Sequence, residues 1–180
     1  LHFWVAPGSM RGWDEIRVSE KMYNEFLKEG RIAENNLYDA RAYGSMFFDD
    51  PYYHEGEHIL GYNYDDVYYE TSVTQYNFRK YMPATWDEQK QSAVGTNMPL
   101  MRYANVLLMQ AEVYNEQKHP EKAIPLINDV RRIHGKLPAM TGSDYEAVKA
   151  QIEHERLVEF ALENSRFYDL RRWGKLDEAM

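Results

Sequence analysis

Glu155-Arg156-Leu157-Val158-Glu159-Phe160-Ala161-Leu162-Glu163-Asn164-Ser165-Arg166-Phe167-Tyr168-Asp169-Leu170-Arg171-Arg172-Trp173-Gly174 interleaves charges of both signs with large apolar residues. A solvent-facing helix segregates the two kinds onto opposite faces, and this stretch does not. Glu155, Glu159 and Glu163 recur every four residues, so on a helix they make one acidic row, with Leu157, Phe160 and Ala161 on another stripe. Arg166, Arg171 and Arg172 follow where the helix should end. A carboxylate withdrawn from water must be paired, so row and arginines are expected to form one ion network. The pattern predicts a structural lock. Arg156, Asp169 and Trp173 belong to it, and Trp173 and Tyr168 are expected to pack rather than to touch a ligand.

Working upstream, Ser143-Asp144-Tyr145-Glu146 reads as a capping box that opens this long helix. Before it, Leu100 to Glu116 has strong helical spacing with Pro99 as a first-turn residue. Lys118-His119-Pro120-Glu121 turns the chain, and Glu121 to Ile133 returns as a second helix with Pro125 in its first turn and Gly135 as its stop. Further back, Ser19 caps a helix carrying Met22, Tyr23, Phe26 and Leu27, stopped by Gly30. Leu1 to Trp13 reads as strand or loop, and residues 39–96 as irregular loops with short strands.

Three blocks of this sequence, in order, resemble the SusD/RagB family of outer-membrane nutrient-binding lipoproteins. They are Met98-Pro99-Leu100-Met101-Arg102-Tyr103-Ala104-Asn105-Val106-Leu107-Leu108-Met109-Gln110-Ala111-Glu112, then Ile127-Asn128-Asp129-Val130-Arg131, then the signature at 155–174. The match is strongest over 97–174, and Tyr38-Asp39-Ala40-Arg41 is a looser one. Two departures stand out: Asn105 replaces the usual acid, and Asn164 a common glycine, the latter mild because Asn tolerates a left-handed helix end. The resemblance implies an all-α fold of tetratricopeptide-like helical hairpins with long irregular loops. Ala111, Tyr114 and Ala123 have the small-large-small spacing of such a hairpin, with Tyr114 filling the groove. Arg102, at the head of the first block, joins Glu155, Arg156, Glu159, Glu163 and Arg166 as architecture. Family members are much longer and carry a lipid-bearing cysteine, so 1–180 is expected to be a domain segment incomplete at both ends.

Composition bounds the partners. The chain has 180 residues, a net charge of −8 and no cysteine, with a pI near 5.3. Net acidity argues against nucleic acid or an anionic membrane surface, and the missing thiols exclude disulfides and thiolate metal sites. Tyrosine is abundant, with 15 residues, and clusters between Asp50 and Tyr81. A flat apolar ring with a polar tip makes such loops adhesive.

Trp13 lies outside any apolar stripe, between Ser9-Met10-Arg11-Gly12 and Asp14-Glu15. That is the composition of a loop-borne aromatic platform with Arg11 and Asp14 as polar neighbours, or equally of a tryptophan covering a helix edge. The resemblance places an aromatic ligand residue of glycan-binding members in this loop. Tyr52, Tyr53, Tyr62, Tyr64 and Trp86 are further loop-side candidates. The competing signal is His54-Glu55-Gly56-Glu57-His58, an H-E-x-x-H that would bind zinc only on a helix through both histidines. Pro51 upstream, Gly56 inside and the lack of apolar periodicity make it a polar loop instead. Asp49-Asp50 and Asp65-Asp66 could bind calcium or assist acid–base chemistry, but adjacent acids are more often solvated charge. No catalytic set, metal or cofactor is expected.

The resemblance thus implies a non-catalytic oligosaccharide-capture protein, surface-exposed on the outer membrane through a lipid anchor absent from this chain. Its partner would be a TonB-dependent transporter of the SusC type. Peptide capture, as in RagB-like members, a zinc peptidase or acid-pair glycosidase, and a tetratricopeptide-type adaptor that binds protein segments in a helical groove are the alternatives.

Overall fold

A computed structural model describes residues 1–69 and 76–179 of the chain. The chain folds into two units, Leu1–Leu37 with Ala42–Pro99, and Tyr38–Arg41 with Leu100–Met180. Helices dominate both, so the fold is all-α as expected. The part of the irregular region that falls at 70–75 lies outside the described residues.

The first unit opens on a helix where strand or loop was expected: α1 (His2–Val5), followed by a 3-10 turn at Gly8–Met10. Leu1 to Val5 is apolar all round, and such a run carries no period by which helix and strand can be told apart. Helix α2 (Glu20–Leu27) begins where the capping residue places it, the Ser19 hydroxyl accepting from Met22 N at 3.2 Å. Gly30 beyond it takes a left-handed φ of 77°. Next come α3 (Ala40–Ser45), α4 (Pro51–His54), α5 (Tyr64–Tyr68) and α6 (Trp86–Gln89). These short helices correct the expectation of loops over 39–96. Each of the last three is fixed by a side-chain cap, with Asp50, Asn63 and Thr85 accepting from Tyr52 N, Asp66 N and Glu88 N. One turn of helix is too short to show periodicity, so the caps are its only trace in the sequence. The expected short strands are present as β1 (Met46–Phe47) antiparallel to β2 (Asn77–Phe78), with Met46 opposite Phe78. Phe26, Phe47, Phe48, Tyr53 and Ile59 are buried in this unit. Tyr53 satisfies its hydroxyl by donating to the carbonyls of Tyr43 and Met46.

The second unit is built on α7 (Tyr103–Glu116), α8 (Pro120–Val130) and α9 (Tyr145–Glu159). Ala111 and Ala123 are wholly buried in the core shared by α7 and α8, Ile127 and Ile152 join them, and Tyr114 packs alongside. This is the expected hairpin. Its boundaries differ in detail. Helix α7 starts at Tyr103 rather than Leu100, because Arg102 takes the N-cap position while its side chain is drawn to two glutamates. Pro99 therefore lies ahead of the helix. Pro120 takes the first-turn position of α8, which puts Pro125 in the helix interior. A π-turn at Arg131–Gly135 follows, and the left-handed stop is Lys136, at φ 56°, not Gly135. Gly135 is small for another reason: a Cβ there would sit 3.2 Å from Arg41 Nη2 and from Asp39 Oδ1. The cap of α9 is Asp144, which accepts from Ala147 N at 3.0 Å, in place of Ser143.

The signature is not one helix. Helix α9 ends at Glu159, the chain turns through Leu162 and Asn164 at φ 60° and 59°, and α10 (Arg166–Arg172) and α11 (Leu176–Ala179) follow. Asn164 takes the left-handed conformation its side chain tolerates.

Candidate functional site

Every sequence-derived ligand candidate lies in the first unit, where the best-formed feature is an exposed aromatic group around Trp13. Backbone lacing builds it: Trp13 N donates to Phe3 O at 2.6 Å, Asp14 N to Ala6 O at 3.2 Å and Glu15 N to Trp4 O at 3.0 Å. Gly12 permits this approach, since a Cβ there would lie 1.9 Å from Ala6 O. The Trp13 ring then stacks on Phe3 with centroids 6.2 Å apart and meets the edge of Trp4 at 4.9 Å. Trp13 nevertheless remains 58% exposed and Trp4 45%. Rings that pack on one side and stay open on the other can receive a flat apolar ligand face. The sequence pattern does not single out Phe3 and Trp4; on the helix, buried His2 and Val5 share one face and Trp4 lies off it.

Arg11 is exposed beside this group, held at φ 58°. Asp14 is a brace rather than an open acceptor. Its Oδ1 takes bonds from Asn77 Nδ2 at 2.7 Å and Arg17 Nε at 2.9 Å, and its Oδ2 pairs with the Arg17 guanidinium. Buried Asn77 also reaches Val5 O and accepts from the Tyr68 hydroxyl. The loop is thereby tied to β2.

A second aromatic pair joins Trp86 to Tyr62, edge to face at 5.7 Å. Gly61 and Ala84, close by in sequence, line a cleft of about 570 Å³. Tyr52 contributes to its wall indirectly, its ring lying 3.9 Å from that of His58 and nearly parallel. Tyr64 and Tyr53 are corrected to core residues. Tyr64 is 9% exposed, stacks on Tyr68, and burial pushes its hydroxyl up to about 12. Tyr53 is wholly buried.

The H-E-x-x-H stretch forms no helix through both histidines: α4 ends at His54 and Glu55 caps it. Both ring nitrogens of His54 meet carboxylates, Asp49 at 2.8 Å and Asp65 at 3.0 Å, and these hydrogen bonds raise its pKa against the opposing effect of burial. His58 is turned back over Gly56, where a Cβ would lie 2.4 Å from its Nε2. The acidic pairs are engaged as well. Asp50 caps α4 and accepts from Arg31 at 2.7 Å, and Asp66 completes the capping box of α5.

In the second unit the acidic row does pair with arginines, largely not those expected. Glu155 accepts from Arg41 Nη1 at 2.6 Å and Arg131 Nη1 at 2.8 Å. Arg102 bridges Glu159 at 2.6 Å and Glu163 at 2.8 Å, and His134 Nδ1 meets Glu159 at 2.8 Å. Glu163, beyond the helix end, still reaches this cluster. Burial works against the Glu159 charge, but the bond from Arg102 and the charges of His134, Arg102 and Arg41 outweigh it and hold its pKa below the usual carboxylate range. Arg156 and Arg172 share Asp169 instead, at 2.9 and 3.0 Å, and Arg172 and Trp173 hold Glu112. Arg166 reaches the Glu153 carbonyl and covers the Trp173 ring, while Arg171 is exposed. Tyr168, expected to pack, is 65% exposed. Spacing alone does not single out Arg41 and Arg131, although each ends a block that carries the resemblance. The carboxylates of this network are spent on arginines that fix helices, whereas the Trp13 ring is open to a ligand.

Comparison with known proteins agrees with this architecture. SusD-like protein P38 of Formosa agariphila is 34% identical over 93 residues, 47% of this chain and 18% of that protein. SusD-like protein P25 of the same organism is 35% identical over 103 residues, 53% of this chain and 20% of that protein. A SusD superfamily protein from Bacteroides vulgatus matches with a TM-score of 0.83 and 30% identity, covering 97% of this chain and 37% of its own. A SusD-like protein from Bacteroides fragilis matches with a TM-score of 0.65 and 25% identity, covering 91% and 37%. The matched region is therefore well under half the length of these relatives. The model of the SusD family matches residues 2–180, and the chain belongs to that family.

Proposed function

We propose that this chain is part of a non-catalytic protein that captures oligosaccharide at the cell surface and delivers it to a TonB-dependent, SusC-type transporter. Family membership supports capture, and the Trp13 group is the observation that carries the ligand class. A pyranose ring presents an apolar C–H face bordered by hydroxyls. Trp13 and Trp4 offer a matching open ring surface, with Arg11 as the adjacent donor. Single stacking contacts are weak, so affinity accumulates over several sugar units bound to a fixed surface. The lacing of residues 13–15 to 3–6 supplies that fixity. No helix among the described residues is long and apolar enough to cross a membrane, and we assign attachment at the outer membrane to a lipid anchor on the longer protein.

Affinity electrophoresis through gels containing different polysaccharides tests this reading. Retardation is expected on at least one of them, with affinity about tenfold lower for Trp13→Ala, as the loss of one stacked ring implies. Migration unaffected by every polysaccharide, or retardation indifferent to both Trp13→Ala and Trp4→Ala, would refute it.

A further inference from the structure

His54, the last residue of α4, stands between two carboxylates that reach it from different segments. Its Nε2 lies 2.8 Å from Asp49 Oδ1, just ahead of α4, and its Nδ1 lies 3.0 Å from Asp65 Oδ2, in the first turn of α5. Neither acid has an arginine or lysine partner among the described residues, so His54 is their shared counter-charge. The neighbouring acids are turned elsewhere: Asp50 to Arg31, and Asp66 to the Asn63 amide. Glu55 and Glu57 are exposed to solvent. The Tyr64 ring tilts against the imidazole at 4.9 Å and brings no charge, because burial pushes its hydroxyl up to about 12.

The bond to Asp65 closes the base of the segment 55–63. Within it, Ile59 and Tyr62 exchange backbone bonds at 2.9 and 3.1 Å around Leu60 and Gly61, both left-handed. A leucine keeps that conformation only where its surroundings over-determine it. Tyr62 then meets Trp86 edge to face. The hold at the base of this loop therefore bears on where the Tyr62 ring sits.

Ionised carboxylates only accept hydrogen bonds, so two of them require two N–H donors from one ring. Imidazole has two donors only when protonated; the neutral ring turns a lone pair toward one of the acids. We propose that His54 is a protonation-controlled staple, which as imidazolium bridges Asp49 and Asp65 and as neutral imidazole releases Asp65, loosening the loop that carries Tyr62. Asp65 is the acid released because its bond is the longer of the two. The bonds to Asp49 and Asp65 raise the histidine pKa above 6.5. The closed form is accordingly complete below 6.5 and is lost as pH rises through the higher folded value. Both acids are exposed to solvent, which weakens such pairs, so the change is confined to the loop and leaves overall unfolding almost untouched. The device stands whether or not the chain binds glycan.

Nuclear magnetic resonance titration of the histidine rings, followed together with the Trp86 indole N–H, tests the proposal. His54 should titrate above 6.5, and the Trp86 resonance should shift with the same midpoint. Asp49→Asn and Asp65→Asn should each move that midpoint downward, and Asp65→Asn should also uncouple the indole from it. His54→Gln should abolish the indole response while His119 titrates as before. These side chains are at the surface, and an unchanged spectrum for the Glu155 cluster confirms that each variant is folded. A His54 midpoint at or below the ordinary value overturns the staple. So does an indole resonance that stays still while His54 titrates, or one that still responds in His54→Gln.

Discussion

Arg41 Nη1 lies 2.6 Å from Glu155 Oε2, although 114 residues separate the two and both are buried. Arg131 takes the other oxygen of the same carboxylate at 2.8 Å. One acid thus joins the Tyr38–Arg41 segment to the π-turn after α8 and to α9. A Cβ at Gly135 would press on both Arg41 and Asp39, at 3.2 Å from each. Burial alone would favour a neutral Arg41. Its bonds to Asp39 and the charges of Glu155 and Asp39 reverse that and raise its pKa.

Removing one member of a buried pair leaves the other charge uncompensated, at a cost of about 3–5 kcal/mol. Glu155→Ala should therefore lower the unfolding free energy in urea by that order, removing the carboxylate that Arg41 and Arg131 share. Lys28→Ala breaks an exposed pair with Glu25, where the expected change is within about 0.5 kcal/mol. Similar losses in the two variants would mean that Glu155 locks nothing.

Glu159 contributes to the acid limb of stability. Its pKa is depressed in the folded state, so its contribution is present above the unfolded value of about 4.3 and is lost as pH falls through the lower folded value. A carbon-13 titration should place the Glu159 midpoint below that of a solvated glutamate, and His134→Ala should move it upward. A midpoint at the ordinary value, or one indifferent to His134, contradicts the assignment.

Sequence periodicity discloses the long helices because α7, α8 and α9 each present a buried stripe over several turns. It is silent for α4, α5 and α6, where Asp50, Asn63 and Thr85 determine the structure one turn at a time. The acidic row is readable from its four-residue spacing. Its partners are not, because Arg41 and Arg131 are brought to Glu155 by tertiary packing that no local spacing encodes. Trp13 can be singled out for lacking any apolar stripe to join. Tyr64 cannot be separated from Tyr62 in the same loop. The Asn63 cap starts α5 between them and turns Tyr64 inward onto Tyr68, leaving Tyr62 at the surface beside Trp86.

Gly12 offers the sharpest test that the Trp13 group is a built surface. Its φ is not left-handed, so its role is close approach: a Cβ would collide with the Ala6 carbonyl carbon at 2.3 Å and the oxygen at 1.9 Å. Backbone atoms cannot yield as a flexible side chain does, so Gly12→Ala must break the bonds from Trp13 N to Phe3 O and from Asp14 N to Ala6 O. Losing two such bonds and the ring contacts they support should cost about 2–4 kcal/mol in this unit. Glycan retention should fall at least as far as in Trp13→Ala, even though every aromatic ring is still present. Hydrogen exchange at the amides of Trp13 and Asp14 should rise by orders of magnitude, while the Glu155 cluster keeps its protection. Full retention in Gly12→Ala would show that the rings bind without being held, and would remove the structural basis for assigning the ligand to Trp13.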